Sequence, residues 1–139
     1  MKLHRLPYHV LRGHSAAVTN VTLSLDLDVC VTCSKDCSII VHSLSNGHYI
    51  RTIYHPRQQE IRFASVTNSG YVTYFSPSDR SLYVCNVNGL FVTCTKVDDV
   101  LNGLVFSQDE KYVISYGSVL TVFKFPRYFH SDIFDIFDI

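Results

Sequence analysis

A pattern of about forty residues recurs along this chain, and no other feature constrains its fold as strongly. The first and fullest copy runs from Gly13 to Ile53. Val18, Val21, Leu23, Val31, Asp36 and Leu44 of that copy fall on Ile61, Ala64, Val66, Tyr74, Asp79 and Val87 of the next. The turn Asn46-Gly47 returns as Asn88-Gly89, one residue early. A third copy starts at Leu101 and puts Leu104, Phe106, Tyr112 and Ile114 on the apolar positions. Its central turn, around Gly117-Ser118, is two residues shorter and has no Asp. Within each copy, apolar runs of strand length alternate with turn residues. A unit of this kind has too little core to stand alone, so the copies must stack on one another.

The pattern predicts strands throughout and no long helix. Nine Tyr and nine Phe agree with that. The first copy is preceded by a predicted short strand, Tyr8 to Arg12. Its own innermost strand, Val18 to Leu25, carries a phase slip: Val18 and Val21 are three apart, whereas Val21, Leu23 and Leu25 alternate. A β-bulge near Thr19-Asn20 would put all four on one buried side. Leu101, Leu104 and Phe106 repeat the slip. In the second copy Tyr71 to Phe75, Ser81 to Val87 and Leu90 to Thr95 read as strands, with a turn at Ser76-Pro77-Ser78-Asp79. The third copy has a strand from Val119 to Phe125 and no recognisable fourth, and Pro126 breaks the pattern. The expected units are residues 13–54, 60–95 and 101–125 within a domain spanning 1–126. Residues 127–139 form a tail of Asp, Ile and Phe, read as an irregular chain end or as a short acidic-aromatic docking motif.

Gly13-His14 at the start of the first copy and Asp36 in its central turn make it resemble a blade of the WD40 β-propeller family. His42-Ser43 stands where that family has Trp-Asp. The expected fold is all-β, a partial WD40-like β-propeller of about three four-stranded blades, the last incomplete. The order of Gly13-His14, Val41-His42-Ser43-Leu44, Arg51, Pro56, Ser65-Val66 and Asn86-Val87-Asn88-Gly89 is similar to the C-terminal propeller of BEACH-domain proteins of the neurobeachin and beige-like anchor group. This resemblance covers about Val10 to Phe125. It implies a non-catalytic protein-interaction scaffold of vesicle or membrane traffic, cytoplasmic or peripheral to membranes. The implied partners are other proteins, and the remaining blades or BEACH domain of a longer protein. The chain would then be a small piece of such a protein or a truncated relative.

The resemblance also implies a hydrogen-bond network within each blade, carried here by His14, Thr32, Asp36 and His42. An imidazole at His42 can still donate one N–H, so the network would survive in altered form. The same places hold Arg57, Phe75, Asp79 and Cys85 in the second copy, which cannot build it. In the third they hold Val97, Ser115, a deleted position and Phe123. The network is therefore expected in the first blade alone, as a device of stability.

Other chemistry is weakly signalled. Lys plus Arg and Asp plus Glu each number 12, so no basic field marks a nucleic-acid or anionic-lipid surface. Direct membrane binding is not expected, and a lipid-contacting traffic adaptor is kept only as an alternative, beside a WD40 adaptor outside the BEACH group. No apolar run reaches transmembrane length, and the first residues do not read as a signal peptide. Five cysteines, an odd number, suggest reduced thiols. Cys30, Cys33, Cys37 and His42 invite a zinc reading, but Cys30 and Cys33 are an odd number apart and face opposite ways on a strand. No metal, cofactor or catalytic residue is expected: there is no nucleophile elbow and no phosphate-binding loop, and Asp98-Asp99 reads as a solvated loop. Lys35, Arg57 and Arg80, on loops of one propeller face, are the candidate partner-binding residues, a modest basic patch for an acidic peptide. Three blades cannot close a ring of ordinary size. Apolar residues such as Leu23, Val66 and Phe106 are then expected to be exposed, and the isolated chain to be aggregation-prone or oligomeric unless the missing blades come from the rest of a longer protein or another copy.

Overall fold

The computed structural model describes residues 8–125. Among them, eleven strands form three antiparallel sheets, each a simple meander. The first sheet holds β1 (Val18–Ser24), β2 (Val29–Ser34), β3 (Ser38–Ser43) and β4 (Tyr49–Tyr54). The second holds β5 (Phe63–Val66), β6 (Tyr71–Ser76), β7 (Ser81–Asn86) and β8 (Phe91–Lys96). The third has three strands, β9 (Gly103–Phe106), β10 (Tyr112–Tyr116) and β11 (Leu120–Lys124). The inner strands β1, β5 and β9 are neighbours, so the sheets stand side by side as successive blades. The set does not close into a ring. Pro126 and the tail 127–139 lie outside the described residues.

Local chemistry fixes the turns at matching places. The first turn of each copy ends in a left-handed residue, Asp28 (φ 54°), Gly70 (φ 96°) or Glu110 (φ 58°). The β2–β3 and β6–β7 turns repeat an Asp followed by a left-handed residue, Cys37 (φ 71°) and Arg80 (φ 51°). The β3–β4 and β7–β8 turns place Gly47 (φ 72°) and Gly89 (φ 85°) where a side chain would be strained. Bulges recur too, at Val41/His42 and one repeat later at Val84/Cys85.

We call the face of each sheet that looks toward the preceding copy its front, and the other its rear. The rear of the first sheet, with Val31, Cys33, Ile39 and Val41, packs on the front of the second, with Ala64, Val66, Tyr74 and Tyr83. The rear of the second, with Phe75, Leu82 and Val84, packs on the front of the third through Leu104, Phe106 and Phe125. The middle sheet is thus covered on both sides. This is why β6 reads YVTYFS without polar alternation, and why all six of its residues are buried.

The bulge between Val18 and Asn20 is present and aligns Val18, Val21 and Leu23, with Leu25 beyond β1 in the turn that follows. They are not buried, however: their exposures are 55 %, 56 %, 53 % and 77 %. Val18, Val21 and Leu23 lie on the front of the first sheet, which no other sheet covers among the described residues. The polar residues between them look the other way. Asn20 Oδ1 accepts from the Ala64 N–H at 3.4 Å, Thr22 Oγ1 from the Val66 N–H at 3.3 Å, and Ser24 Oγ donates to Asn68 Oδ1 at 2.8 Å. Leu23 is exposed as expected, but Val66 is buried between the first two sheets and Phe106 is half-buried against the second. Leu101 needs no bulge, because β9 begins after it and the residue packs in the connecting loop.

Residues Tyr8 to Arg12 do not form the predicted strand. A strand needs an edge to pair with, and none is offered there. Instead the segment runs across the outer half of the first sheet's front. Gly13 sits so close to Ile40 that a Cβ would lie 2.9 Å from Ile40 Cδ1. His9 Nε2 donates to the Ser45 carbonyl at 3.1 Å.

Candidate functional site

The first-blade network centres on Asp36. Its turn position is set by local bonds: Oδ1 accepts from the Ser38 N–H at 3.0 Å and from Ser38 Oγ at 2.6 Å. Oδ2 accepts from the Ser15 N–H at 3.0 Å and lies 2.9 Å from His14 Nδ1. His14 Nε2 is 2.8 Å from Thr32 Oγ1. Burial opposes ionisation of Asp36, but the bonds from Ser38, His14 and Ser15 outweigh it and hold the carboxyl at about 2. The structure thus brings His14, Thr32 and Asp36 together. His42 stands apart from them, because its Nε2 meets the Arg12 carbonyl at 3.1 Å. Ser38 and Ser15 were missed in the sequence, although a Ser two residues after a turn Asp is a readable signal.

The second blade departs from the sequence mapping. The residue opposite Ala64 is Tyr74, as Thr32 is opposite Val21, so Tyr74 and not Phe75 occupies the network position. The first turn of this copy is one residue shorter, which shifts the register. A different polar set forms there. Tyr83 Oη donates to Asp79 Oδ2. His55 is 2 % exposed and stands edge-on to the Tyr83 and Tyr74 rings, at 4.7 and 6.0 Å between centroids. His55 Nδ1 accepts from the Arg57 N–H at 3.0 Å, which puts the ring proton on Nε2. That Nε2 and Asp79 Oδ1 are buried without a hydrogen-bond partner. Burial lowers the His55 imidazole, with Asp79 opposing and the Arg57 charge assisting. Burial and the Asp79 bond push the Tyr83 phenol up to about 12.

In the third blade Asp99 takes over the missing turn Asp from across the β8–β9 loop. Its Oδ2 accepts from the Ser118 N–H at 2.7 Å and from the Val119 N–H at 3.4 Å. The Ser118 bond leads the causes that lower its carboxyl. Asp99 is therefore a turn cap and not a merely solvated residue. Gly117 makes room for it, since a Cβ there would lie 2.4 Å from Asp99 Oδ2.

Strands β2, β4, β6, β8 and β10 all exit at one edge of the blades, and the three carboxylates fasten that edge. Lys35 is in the β2–β3 turn, Arg57 in the β4–β5 link and Arg80 in the β6–β7 turn, all exposed. The link is tied to the first turn by the His55 N–H on the Cys37 carbonyl at 2.9 Å and by Cys37 Sγ on the Gln58 carbonyl at 3.1 Å. Arg57 also borders an open groove of about 330 Å³ between the first two blades, with Tyr54, Tyr83, Phe91 and Cys94.

Cys33 lies in the core on the rear of the first sheet, while Cys30 is opposite Leu23 and His42 on its front. Burial raises both thiols, Cys33 to about 11, and Cys85 to about 12. Thiols held protonated in this way are poor nucleophiles at neutral pH. Among the described residues no helix is long and apolar enough to cross a membrane.

The family model of the neurobeachin beta propeller domain matches residues 2–125. BEACH domain-containing protein B of Arabidopsis thaliana is 29 % identical over 111 residues, which is 80 % of this chain and 4 % of that protein. BEACH domain-containing protein lvsE of Dictyostelium discoideum is 30 % identical over 122 residues, 88 % of this chain and 5 % of that protein. The chain therefore spans only about 4 to 5 % of the length of these two relatives. Among solved structures, the WD40 repeats of RRP9 align with TM-score 0.74 at 19 % identity, covering 84 % of this chain and 38 % of that one. The computationally designed Ika4 protein aligns with TM-score 0.67 at 21 % identity, covering 83 % and 70 %. These likenesses show a WD40-type propeller fold and no more. On the family match, which takes in all three sheets, the chain belongs to the neurobeachin beta-propeller family.

Proposed function

We propose that this chain is a non-catalytic protein-interaction scaffold, acting within BEACH-type proteins of vesicle or membrane traffic in the cytoplasm. The observation that carries the reading is the fastened edge. Lys35, Arg57 and Arg80 are exposed on it, and none of them is in an ion pair among the described residues. Rigid blades with positioned loops suit partner binding. Three unpaired cations favour an acidic peptide segment as the partner and would speed its encounter.

The test is fluorescence anisotropy with acidic and charge-neutral peptides on the wild-type chain and on a triple variant, Lys35→Glu, Arg57→Glu and Arg80→Glu. Salt-sensitive binding of acidic peptides that the triple variant loses, with its melting temperature kept, supports the reading. Equal binding by both proteins refutes it. Sedimentation with anionic vesicles in the absence of any partner would favour direct lipid contact instead.

A further inference from the structure

We propose that the groove between the outer strands of the first two blades seats an aromatic side chain from an extended segment of a partner protein, with a neighbouring carboxylate of that segment on Arg57. The groove opens between β4 and β8 and has a volume of about 330 Å³, the scale of a small-ligand site. Both walls belong to complete four-stranded sheets, so residues 8–125 are enough to form it. Its lining is made of rings and thiols: Tyr54, Tyr83 and Phe91 supply the rings, Cys85 and Cys94 the sulfurs. Rings pair with rings, and sulfur with ring edges, beyond the gain from burial alone. Tyr54 is 70 % exposed and Phe91 43 %, so two of the three rings still face solvent.

Tyr83 and Cys85 are the buried floor of the groove. Tyr83 Oη is taken by Asp79, so the ring and not a free hydroxyl is left to line it. Burial pushes the Cys85 thiol up to about 12, which keeps it neutral. Gly89, in the β7–β8 turn at the other edge, adds no side chain. No carboxylate lines the groove, and Arg57 stands at its rim, exposed and in no ion pair among the described residues. The link that carries Arg57 is held in place: the Arg57 N–H donates to His55 Nδ1 at 3.0 Å and the Gln58 N–H to the His55 carbonyl at 3.0 Å. A cation fixed beside a ring-lined void selects a segment in which an acid and a ring are neighbours. The carboxylate contact rests on the acidic-peptide reading; the ring contact does not, so the two fail separately.

Fluorescence anisotropy on the full chain compares two peptides of equal charge, one with Phe beside Asp and one with Ala in place of that Phe. The Phe peptide should bind about ten-fold tighter or more, as burial of one ring implies. Cys94→Trp fills the groove and should erase that preference. The double variant Lys35→Glu and Arg80→Glu should keep it, because neither residue lines the groove. Cys94 is exposed, and far-UV circular dichroism checks the fold of its variant. Phe91→Ala, which removes one ring and should narrow the preference, stands in if Cys94→Trp misfolds. Mass spectrometry locates the ring without any substitution: at equal concentration the Phe peptide should slow alkylation of Cys94 by N-ethylmaleimide and the Ala peptide should not. Equal binding of the two peptides overturns the groove and leaves the acidic-peptide reading standing. So does a preference that survives Cys94→Trp or leaves Cys94 unprotected, since the ring then sits elsewhere. Binding of neither peptide overturns both. A Cys94 that reacts only once residues 127–139 are removed gives the groove to the chain's own tail and overturns the partner segment.

Discussion

His42 Nε2 lies 3.1 Å from the Arg12 carbonyl oxygen, so the imidazole that stands in place of the expected Trp fastens the segment leading into the first blade. A carbonyl only accepts, so Nε2 carries the proton. His42 is 3 % exposed, and the bond is shielded from water. His42→Ala should cost about 1–2 kcal/mol and loosen residues 8–14 without melting the sheets. Limited proteolysis reads this as new cleavage before Ser15. Unchanged cleavage would mean that His9 and Gly13 hold the segment without it.

Asp36 and Asp79 occupy the same turn but do different work. Asp36 accepts from Ser38, Ser15 and His14, whereas Asp79 accepts from Tyr83 alone and keeps one buried oxygen unpaired. Asp36→Ala should cost about 1–3 kcal/mol, and Asp79→Ala less. Thermal melts compare the two, and equal losses would contradict the assignment of the network to the first blade.

Stability should fall in two stages with acid. The His55 imidazole is lowered from 6.5 by burial, so the unfolded chain binds the proton first, and stability declines as pH falls below about 6.5. Asp36 is lowered from 3.8 to about 2, so its contribution is complete above 3.8 and is lost as pH falls toward 2. Urea unfolding across the pH range measures both stages. His55→Phe should remove the first and keep the second.

The sheets should differ in their response to truncation. Phe75 is fully buried between the second and third sheets and stacks on Phe63 at 5.4 Å. Phe75→Ala should cost about 3–5 kcal/mol, enough to abolish a cooperative melt in a domain of marginal stability. Val122→Ala, on an open face, should stay within about 0.5 kcal/mol.

Much of this architecture is legible in the sequence because its signals are local. Asp36, Asp79, Gly47 and Gly89 mark turns within a few residues, and the strands follow from alternation between them. What escapes the sequence depends on distance or on neighbours. The one-residue shortening before β6 moves Tyr74 into the place read as Phe75, and only the strand pairing reveals it. Asp99 caps a turn nineteen residues away, which no local motif announces. Val21 and Leu23 carry a core pattern, yet whether they are buried depends on what packs against the front of the first sheet, and no sheet does so among the described residues.

Amide hydrogen exchange on the full chain tests the central claim, a three-blade arc whose middle sheet is covered on both sides, most directly. Exchange is slowest where opening must break the most buried structure. The slowest amides should belong to β6 and β7, with β2 and β3 next and β11 among the fastest. Slowest exchange in β10 and β11, or equal rates across all three sheets, would contradict the arc.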